Sequence, residues 1–440
     1  MEKFVINGGI PLKGEVSLCG AKNSGFKLMI ASLYSDKPCI IKNFSQIGDI
    51  GSTAEIINEL GGRVVFKENH ILEVSGENLQ EQKFSSKVEM LSRASTYFVG
   101  PLLYRFGKAI LPIPGGCKIG RRPVDRHIEG IKALGAEVKV FNDHYGIQGE
   151  LIGGRFRFSK NSHGGTDVLV LAAAGAKGKT ILENAAAEPE IDDLISFLNK
   201  IGAKIKRTEP RTIEIEGVKS FNPTEYSVMP DRNEAVTFAC SALATKGDVF
   251  VRQANPEVLD AFLKAVFEIG GGYEIKEDGI RFYYKGDLMA LNIVTRPYPG
   301  FMTDWMAIWM ILMTQTKGVS IVHETIFENR FAFVAGLQKM GAKIELFNPV
   351  VPNPDEIYNF NLEDDKTEYF HAAKVTGPTI LQGTNQEITD VRAGASLILA
   401  SLIAKGKSEL FGVEHVDRGY ENLDGRLRSL GAQIERVNVC

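Results

Sequence analysis

The sequence has few cysteines and none of the spacings that pair them. Its 440 residues include five cysteines, an odd number, and no C-x-x-C motif is formed by Cys19, Cys39, Cys117, Cys240 or Cys440. A disulfide-stapled secreted scaffold is therefore not expected. We predict reduced thiols and a cytoplasmic protein.

Long hydrophobic runs are also missing. The most apolar stretch, residues 305–313, is shorter than the roughly 20 residues that a membrane-spanning helix needs, and it predicts a buried helix. Residues 1–9 lack the basic start and apolar run of a signal peptide, and their pattern predicts a strand entering a turn. We expect no membrane partner.

Positive charge is not in excess. The formal net charge is −3, with 51 basic and 54 acidic residues. This balance gives no support to a nucleic-acid partner. An anionic ligand would therefore need a local cluster of Lys and Arg.

Several catalytic motifs are absent. The sequence has no G-x-G-x-x-G after a strand, no G-x-S-x-G and no H-E-x-x-H, and its seven histidines do not pair at ligand spacing. NAD, serine-hydrolase and zinc chemistry are poorly supported, and we expect neither a metal nor an organic cofactor. Residues 173–180 imitate a P-loop, but Ala173 stands where that motif requires Gly, so we reject an ATPase.

An internal repeat accounts for the length of the chain. A phrase of the form apolar-Gly-Gly/Ala-x-apolar closes a helical pattern and opens a strand, which predicts a glycine-capped helix before each strand. It occurs six times, at residues 60–64, 134–138, 201–205, 269–273, 340–344 and 430–434.

A second helix-to-strand phrase precedes each copy, so one unit reads strand-helix-strand-helix-strand-strand over roughly 70 residues. Six units divide most simply into two domains of three, with helices packed on sheets. The last interval is the longest. Its excess falls in residues 348–386, where prolines and an acidic run predict an inserted surface segment.

One loop combines a thiol with several cations. Residues 112–127 are rich in Pro and Gly, and Cys117 is followed closely by Lys118, Arg121 and Arg122. A free cysteine is usually a small buried hydrophobe. An electropositive loop, however, lowers a thiol pKa and makes the thiol reactive. The sequence leaves both interpretations open.

Several long phrases occur in order along the chain. They are Gly20-Ala21-Lys22-Asn23, Pro114-Gly115-Gly116-Cys117, Arg122-Pro123-Val124-Asp125, Glu188-Pro189-Glu190, Pro230-Asp231-Arg232, Thr303-Asp304, residues 324–331 and residues 415–421. Taken together, these phrases resemble the UDP-N-acetylglucosamine 1-carboxyvinyltransferase family of enolpyruvyl transferases. The resemblance covers essentially the whole chain.

The resemblance implies an α/β fold, a two-domain inside-out α/β barrel in which each domain has three repeats of a βαβαββ unit. The first enolpyruvyl transferase domain would contain residues 22–229. The second would join residues 1–21 to residues 230–440. The six glycine phrases agree with this number of repeats.

The family acts on two anionic substrates, phosphoenolpyruvate and UDP-N-acetylglucosamine, which several Lys and Arg side chains would bind. By resemblance, the phosphoenolpyruvate site would contain Lys22, Asn23, Arg122, Arg392 and Arg418. The UDP-sugar site would contain Arg93, Arg122, Pro123, Val124, Asp125, Arg126, Lys160, Ser162, His163, Gly164, Asp304 and Ile326. Taken individually, most of these residues fit helix caps or solvated ion pairs equally well.

The implied reaction transfers the enolpyruvyl group of phosphoenolpyruvate to the sugar 3-hydroxyl and releases phosphate, through a tetrahedral intermediate. It is the first committed step of peptidoglycan synthesis. By resemblance, Cys117 would donate the proton and Asp304 would act as the base, with Lys22, Arg392 and Arg418 also catalytic.

The chain departs from the family pattern at six positions, which mostly concern the acceptor side: Ala187, Met302, Met306, Ile308, Arg126 and His163. Two other functions fit the sequence less well. The shikimate-pathway transferase carries an N-terminal Asp-Lys-Ser phrase that is absent here. A silent UDP-sugar sensor would not need Cys117, Asp304 and the phosphoenolpyruvate cations.

Overall fold

The computed structural model describes residues 2–81, 93–113 and 124–439, without the side chain of Arg93. The described part of the chain divides into two compact units. Of the described residues, unit 1 contains 2–19 and 230–439, and unit 2 contains 20–81, 93–113 and 124–229.

Short strands make up the sheets of both units. In chain order they are β1 Glu2–Asn7, β2 Lys13–Ser17, β3 Cys39–Lys42, β4 Arg63–Lys67, β5 Ile71–Ser75, β6 Lys108–Pro112, β7 Glu137–Val140, β8 His144–Gln148, β9 Arg155–Arg157, β10 Lys179–Glu183, β11 Lys204–Glu209, β12 Thr212–Glu216, β13 Glu225–Ser227, β14 Asp248–Arg252, β15 Gly272–Lys276, β16 Gly279–Tyr283, β17 Ile293–Val294, β18 Gly318–His323, β19 Lys343–Phe347, β20 Ala372–Gly377, β21 Asn385–Glu387, β22 Lys407–Phe411 and β23 Gln433–Asn438.

Helices alternate with these strands. The α-helices are α1 Lys22–Ala31, α2 Gly48–Glu59, α3 Val99–Phe106, α4 Asp125–Ala133, α5 His163–Ala174, α6 Pro189–Lys200, α7 Arg232–Ala244, α8 Asp260–Glu268, α9 Thr303–Met313, α10 Val334–Lys339, α11 Pro354–Ile357, α12 Val391–Ile403, α13 Glu414–Asp417 and α14 Leu423–Ser429. Short 3-10 helices are found at Ser32–Tyr34, Arg93–Phe98, Pro256–Val258 and Leu362–Asp364.

The sheets repeat one topology. Unit 1 has the strand orders β21-β22-β1-β23, β15-β16-β14-β2 and β17-β18-β20-β19, and unit 2 has β13-β3-β5-β4, β6-β8-β7 and β11-β12-β10-β9. In five of these sheets one edge strand is parallel to its neighbour, while the other described pairs are antiparallel. Residues 155–216 follow the predicted order strand-helix-strand-helix-strand-strand. The prediction of repeated α/β units is confirmed.

A glycine with positive φ stands at each predicted helix-to-strand turn. The φ values are +84° at Gly61, +93° at Gly135, +114° at Gly202, +82° at Gly270, +92° at Gly341 and +95° at Gly431. Side chains with a Cβ rarely adopt this region, so glycine ends the helix and lets the strand begin directly.

The central helices of each unit are buried on almost all sides. Every residue of α7 is buried. Every residue of α9 is buried except Asp304, which agrees with the buried helix predicted for residues 305–313. In α5 only His163 and Gly164, its first two residues, are not buried. A helix that is buried along its length can present groups to a ligand only at its ends.

The inserted segment is shorter than predicted. Residues 372–377 form β20, which pairs with both β18 and β19, and residues 385–387 form the edge strand β21. The excess is therefore limited to residues 348–371. It is not wholly a surface segment, because Tyr358 and His371 are buried. The prolines and the acidic run indicated the inserted segment, but they did not show the strand β20 that follows it.

Candidate functional site

Aspartates mark the N-termini of the three central helices of unit 1. The Asp231 side chain accepts hydrogen bonds from the backbone of Asn233 and Glu234 and caps α7. The Asp390 side chain caps α12 in the same way, through Arg392 and Ala393. A carboxylate is favoured there by the helix dipole and by the unsatisfied N–H groups. Asp231 and Asp390 therefore act as helix caps, a structural role that the sequence alone could not distinguish from a catalytic one.

Asp304 differs because its carboxylate faces two guanidinium groups. Its Oδ1 atom lies 3.4 Å from Nη2 of Arg330 and 3.7 Å from Nε of Arg392. The Asp304 side chain is 27% exposed, whereas those of the two arginines are 5% and 10% exposed. The structure thus brings together Asp304 and Arg392, two of the predicted site residues, and adds Arg330, to which the sequence had given no role.

Arg392 is held by a buried tyrosine. Its Nη1 atom donates a hydrogen bond of 2.9 Å to the Tyr420 hydroxyl, which lies 2.9 Å from the Thr237 hydroxyl. Burial alone would lower the pKa of Arg392, but Tyr420, Asp304 and Asp231 outweigh it and raise the pKa. The guanidinium is therefore a permanent, pre-positioned positive charge.

A buried glutamate shapes the loop that contains Ile326. Glu324 accepts hydrogen bonds from the Thr303 hydroxyl at 2.9 Å and from the backbone N–H groups of Ile326 and Phe327 at 2.8 and 3.0 Å. Burial raises the pKa of Glu324, while Arg330 and these hydrogen bonds act in the opposite direction. Glu324 therefore links the start of α9 to the loop that contains Ile326, a predicted UDP-sugar residue. The N–H of Ile326 already donates a hydrogen bond within the protein.

The inserted segment contacts the same loop. The N–H of Asn359 donates to the carbonyl oxygen of Thr325 at 2.7 Å, and the N–H of Glu324 donates to the carbonyl oxygen of His371 at 2.8 Å. Residues 348–371 therefore pack beside Ile326.

In unit 2, Lys22 is the first residue of α1, and no side chain caps that helix. Its ammonium lies 2.6 Å from Asp49, in the first turn of α2. A cation at a helix N-terminus opposes the helix dipole, so Asp49 compensates for an arrangement that folding alone would not favour. Asn23 follows Lys22 in the first turn. Asp49 had no predicted role.

The segment with Lys160, Ser162, His163 and Gly164 leads into α5. The Ser162 hydroxyl caps the helix by accepting from the N–H of Gly165 at 3.1 Å. A Cβ on Gly164 would lie 3.1 Å from both the His127 ring and the Tyr97 hydroxyl. A larger residue at position 164 would therefore force these two groups to move.

Arg126 brings a second predicted segment to this place. Its Nη1 atom donates to the carbonyl oxygen of Asn161 at 3.4 Å, between Lys160 and Ser162. Burial lowers the pKa of Arg126, and Glu129 and Asp125 oppose that effect. Val124 is buried and Asp125 opens α4 as an exposed residue. The structure therefore places Val124, Asp125 and Arg126 near residues 160–164.

Other predicted residues contribute less or cannot be placed. Arg418 is exposed at the C-terminal end of α13, where the helix dipole favours a cation. Cys117, Arg122 and Pro123 lie outside the described residues, as does the side chain of Arg93. Their assignment stays a prediction.

Three of the residues that depart from the family pattern, in α9 or just before it, have a packing role. Met302, Met306 and Ile308 are 7%, 0% and 1% exposed and belong to the core of unit 1. Ala187 is half-buried and lies two residues before Pro189, the first residue of α6. Met306 and Ile308 therefore contribute to the core of unit 1. His163 and Arg126 are the departures that lie in the predicted UDP-sugar site and are partly exposed.

Two charged residues inside apolar runs were missed. Lys27 follows Phe26 in α1, and Asp167 precedes Val168 in α5, yet their side chains are 2% and 0% exposed and form an ion pair of 2.5 Å. Charge within an apolar run was the available indication in the sequence.

The described residues provide neither a metal-binding cluster nor a membrane-spanning helix. Across residues 2–81, 93–113 and 124–439, no group of three or more His, Cys, Asp or Glu side chains could hold a metal ion. Within the same described ranges, no helix is long and apolar enough to cross a membrane.

Known proteins share this arrangement of repeated α/β units. The family model of EPSP synthase (3-phosphoshikimate 1-carboxyvinyltransferase) matches residues 6–427. The chain therefore belongs to the EPSP synthase family.

Two relatives resemble it along their whole length. UDP-N-acetylglucosamine 1-carboxyvinyltransferase 3 of Caldanaerobacter subterraneus subsp. tengcongensis is 39% identical, over 99% of this chain and 100% of the relative. UDP-N-acetylglucosamine 1-carboxyvinyltransferase 1 of Staphylococcus aureus is 40% identical, over 100% of both chains. Among solved structures, the enolpyruvyl transferase NikO from Streptomyces tendae has a TM-score of 0.86 at 20% identity, over 100% of this chain and 99% of that chain. The last comparison supports the fold alone.

Proposed function

We propose that this protein transfers the enolpyruvyl group of phosphoenolpyruvate to the 3-hydroxyl of UDP-N-acetylglucosamine and releases phosphate. This reaction is the first committed step of peptidoglycan synthesis. The observation that carries the proposal is the full-length identity of 39% and 40% to two proteins with that named activity. The paired arginines at Asp304 support it independently.

Phosphoenolpyruvate carries a phosphate and a carboxylate, and rigid cations suit both groups. Arg392 fits this role because Tyr420 holds it and because its charge is permanent. We assign the same role to Lys22, Arg122 and Arg418, with Asn23 beside Lys22. Lys22, Arg392 and Arg418 would also compensate the charge that develops as phosphate leaves.

Asp304 is the proposed base. In the first step the methylene carbon of phosphoenolpyruvate gains a proton, and the oxygen of the sugar hydroxyl forms a bond to the neighbouring carbon. The hydroxyl proton then passes to Asp304. In the second step the carbon–oxygen bond to phosphate breaks, and the proton on Asp304 passes to the leaving phosphate. The methyl group returns a proton to the thiolate of Cys117, which restores the double bond. Arg330 and Arg392 fix the carboxylate during both steps.

Cys117 is the proposed proton donor, on the basis of its loop phrase and the neighbouring Lys118, Arg121 and Arg122. Such an electropositive setting favours a reactive thiol. The described thiols give a contrast, since burial raises the pKa of both Cys19 and Cys240. Those two cysteines are poor candidates for the same role.

The UDP-sugar is assigned to Arg93, residues 122–126, Lys160, Ser162, His163, Gly164, Asp304 and Ile326. The N-terminus of α5 suits a diphosphate, because its backbone N–H groups and dipole favour negative charge. Lys160 and Arg126 would add positive charge at the same segment. We propose no metal and no organic cofactor for this reaction.

We also propose that residues 22–229 form one domain and residues 1–21 with 230–440 the other, each an inside-out α/β barrel. The compact units, divided at positions 19/20 and 229/230, support these limits. The buried central helices support the placement of helices inside each domain.

The test is phosphate release from phosphoenolpyruvate with and without UDP-N-acetylglucosamine, with shikimate 3-phosphate as the alternative acceptor. We expect release only with the UDP-sugar. Treatment with the epoxide fosfomycin should abolish release and add one label, which peptide mass spectrometry would place on Cys117. Release with shikimate 3-phosphate alone would overturn the proposed acceptor. Tight UDP-sugar binding without turnover would indicate a silent binding protein.

A further inference from the structure

A buried cation contacts the segment of residues 160–164, which is proposed to bind the UDP-sugar. Lys27, in the middle of α1, is 2% exposed. Its Nζ atom is 2.5 Å from Oδ2 of Asp167 and 2.9 Å from Nε2 of His163. His163 and Asp167 stand one turn apart on α5, with their side chains 3.4 Å apart. The three residues form one contact group, which we call the Lys27 triad.

The triad has a cost for folding. A fully buried lysine must be paired, and Asp167 is itself completely buried. Burial raises the pKa of Asp167 to about 7, Lys27 opposes this rise, and Glu188 and Glu190 add to it. Apolar residues would fill the same space at a lower cost, so an ion pair here requires another explanation.

The contacts define the state of His163. An ammonium group can only donate hydrogen bonds, so Nε2 of His163 accepts from Lys27. The imidazole is then neutral, with its hydrogen on Nδ1. Lys27 therefore selects this tautomer and holds the ring, while Asp167 holds the ammonium of Lys27.

His163 is the first helical residue of α5, directly after the Ser162 cap. Its side chain is 27% exposed, whereas the rest of the triad is buried. The triad therefore connects the interior of unit 2 to the turn that the proposed function assigns to the UDP-sugar.

We infer that Lys27, anchored by Asp167, is a positioning residue for the nucleoside diphosphate acceptor and acts through the side chain of His163. This inference rests on the proposed function. It accounts for a buried charge pair that the enolpyruvyl transfer itself does not use.

The experiment is a double-mutant cycle on the full chain, with KM for UDP-N-acetylglucosamine, KM for phosphoenolpyruvate and kcat measured for each variant. Lys27→Met and His163→Ala should each raise KM for the UDP-sugar about tenfold, with little change in kcat or in KM for phosphoenolpyruvate. Lys27→Met in the His163→Ala background should add nothing, because the route through His163 is already lost. Lys27→Arg, which keeps a donor cation, should recover most of the affinity.

Stability is controlled separately. Lys27→Met leaves Asp167 buried without its cation and is expected to lower the melting temperature. Lys27→Met/Asp167→Val removes both charges, so it should recover stability but keep the raised KM. If this double variant regained wild-type KM, or if the effects of Lys27→Met and His163→Ala multiplied, Lys27 would have only a structural role and the inference would be wrong.

The two proposals fail in different ways. If the wild type turns over UDP-N-acetylglucosamine and Lys27→Met has the same KM for it, the role of Lys27 is refuted and the proposed function is left intact. A wild-type protein that neither binds nor uses the UDP-sugar, by calorimetry and phosphate release, would overturn both.

Discussion

Asp304 is the single residue whose replacement separates catalysis from folding most clearly. Asp304→Asn keeps the size of the side chain but removes the proposed base, so kcat should fall about 10²–10⁴-fold with a small effect on melting. Asp260→Asn is the matched control, because Asp260 is also an acid in a first helical turn, exposed and paired with Lys264 at 2.7 Å. Asp260→Asn should leave kcat near wild type. A kcat of Asp304→Asn within about threefold of wild type would exclude Asp304 as the base.

Asp167 makes stability depend on pH. Burial first, and then Glu188 and Glu190, raise its pKa from 3.8 to about 7 against the effect of Lys27. Between these values the folded protein holds a proton that the unfolded chain releases. Its contribution to stability is therefore fully present at low pH and is lost as pH rises through about 7. Compared with Asp167→Asn, the wild type should lose up to about 4 kcal/mol between pH 4 and 8 in urea unfolding. Parallel pH curves would contradict this.

Residue roles were predicted unevenly, for a physical reason. Asp304 and Arg392 are 88 positions apart, and the family phrases identified both, whereas Arg330 and Tyr420 acquired roles only through contact. Lys27 and Asp167 had no predicted role because each finds its partner on another helix, far away in the sequence. Sequence patterns carry local spacing, and these pairs depend on tertiary packing.

Among structural elements, the glycine turns were predicted best, because one backbone requirement decides them. Gly431 has φ +95° and nothing within 4 Å of an added Cβ, and Gly51, inside α2, also has open space. Gly431→Ala should cost about 1 kcal/mol through backbone strain, while Gly51→Ala should stabilise the protein by about 0.5–1 kcal/mol. Denaturant unfolding of the two variants measures both. Stabilisation by Gly431→Ala as well would show that the strain at Gly431 is negligible.

The inserted segment shows where composition fails as a predictor. Its prolines indicated an inserted surface segment, but the end of that segment is set by the pairing of β20 with β18 and β19. Strand pairing over tens of residues is not visible in local composition.

One asparagine closes this segment. The Asn348 amide donates to the carbonyl oxygen of Tyr369 at 3.0 Å and accepts from the N–H of His371 at 2.9 Å. Asn348→Ala should increase hydrogen exchange across residues 349–370 and cost about 1–2 kcal/mol. Asn353→Ala, which loses only an exposed contact with Glu356, is the control. Equal exchange in the two variants would show that Asn348 does not hold the segment.

At the scale of the whole molecule, unit 1 closes through its first strand. β1 pairs with β22 on one side and β23 on the other, so Phe4 lies opposite Leu410 and Arg436. Phe4 is fully buried and should cost about 3–5 kcal/mol when replaced by Ala. Lys3, on the same strand, forms a partly exposed pair with Glu409, and Lys3→Ala should cost less than about 1 kcal/mol. Similar losses of unfolding free energy would contradict the central position of β1.

That pairing also determines how the chain must be made. At about 5–20 residues per second, a ribosome needs roughly 20–90 s to synthesise β22 and β23 after β1 has emerged. The described residues of unit 2 end at position 229, so that unit is synthesised well before then. During synthesis, β1 remains an unpaired strand with Phe4 and Ile6 unburied, so the nascent chain has a period of aggregation risk that the finished enzyme no longer has.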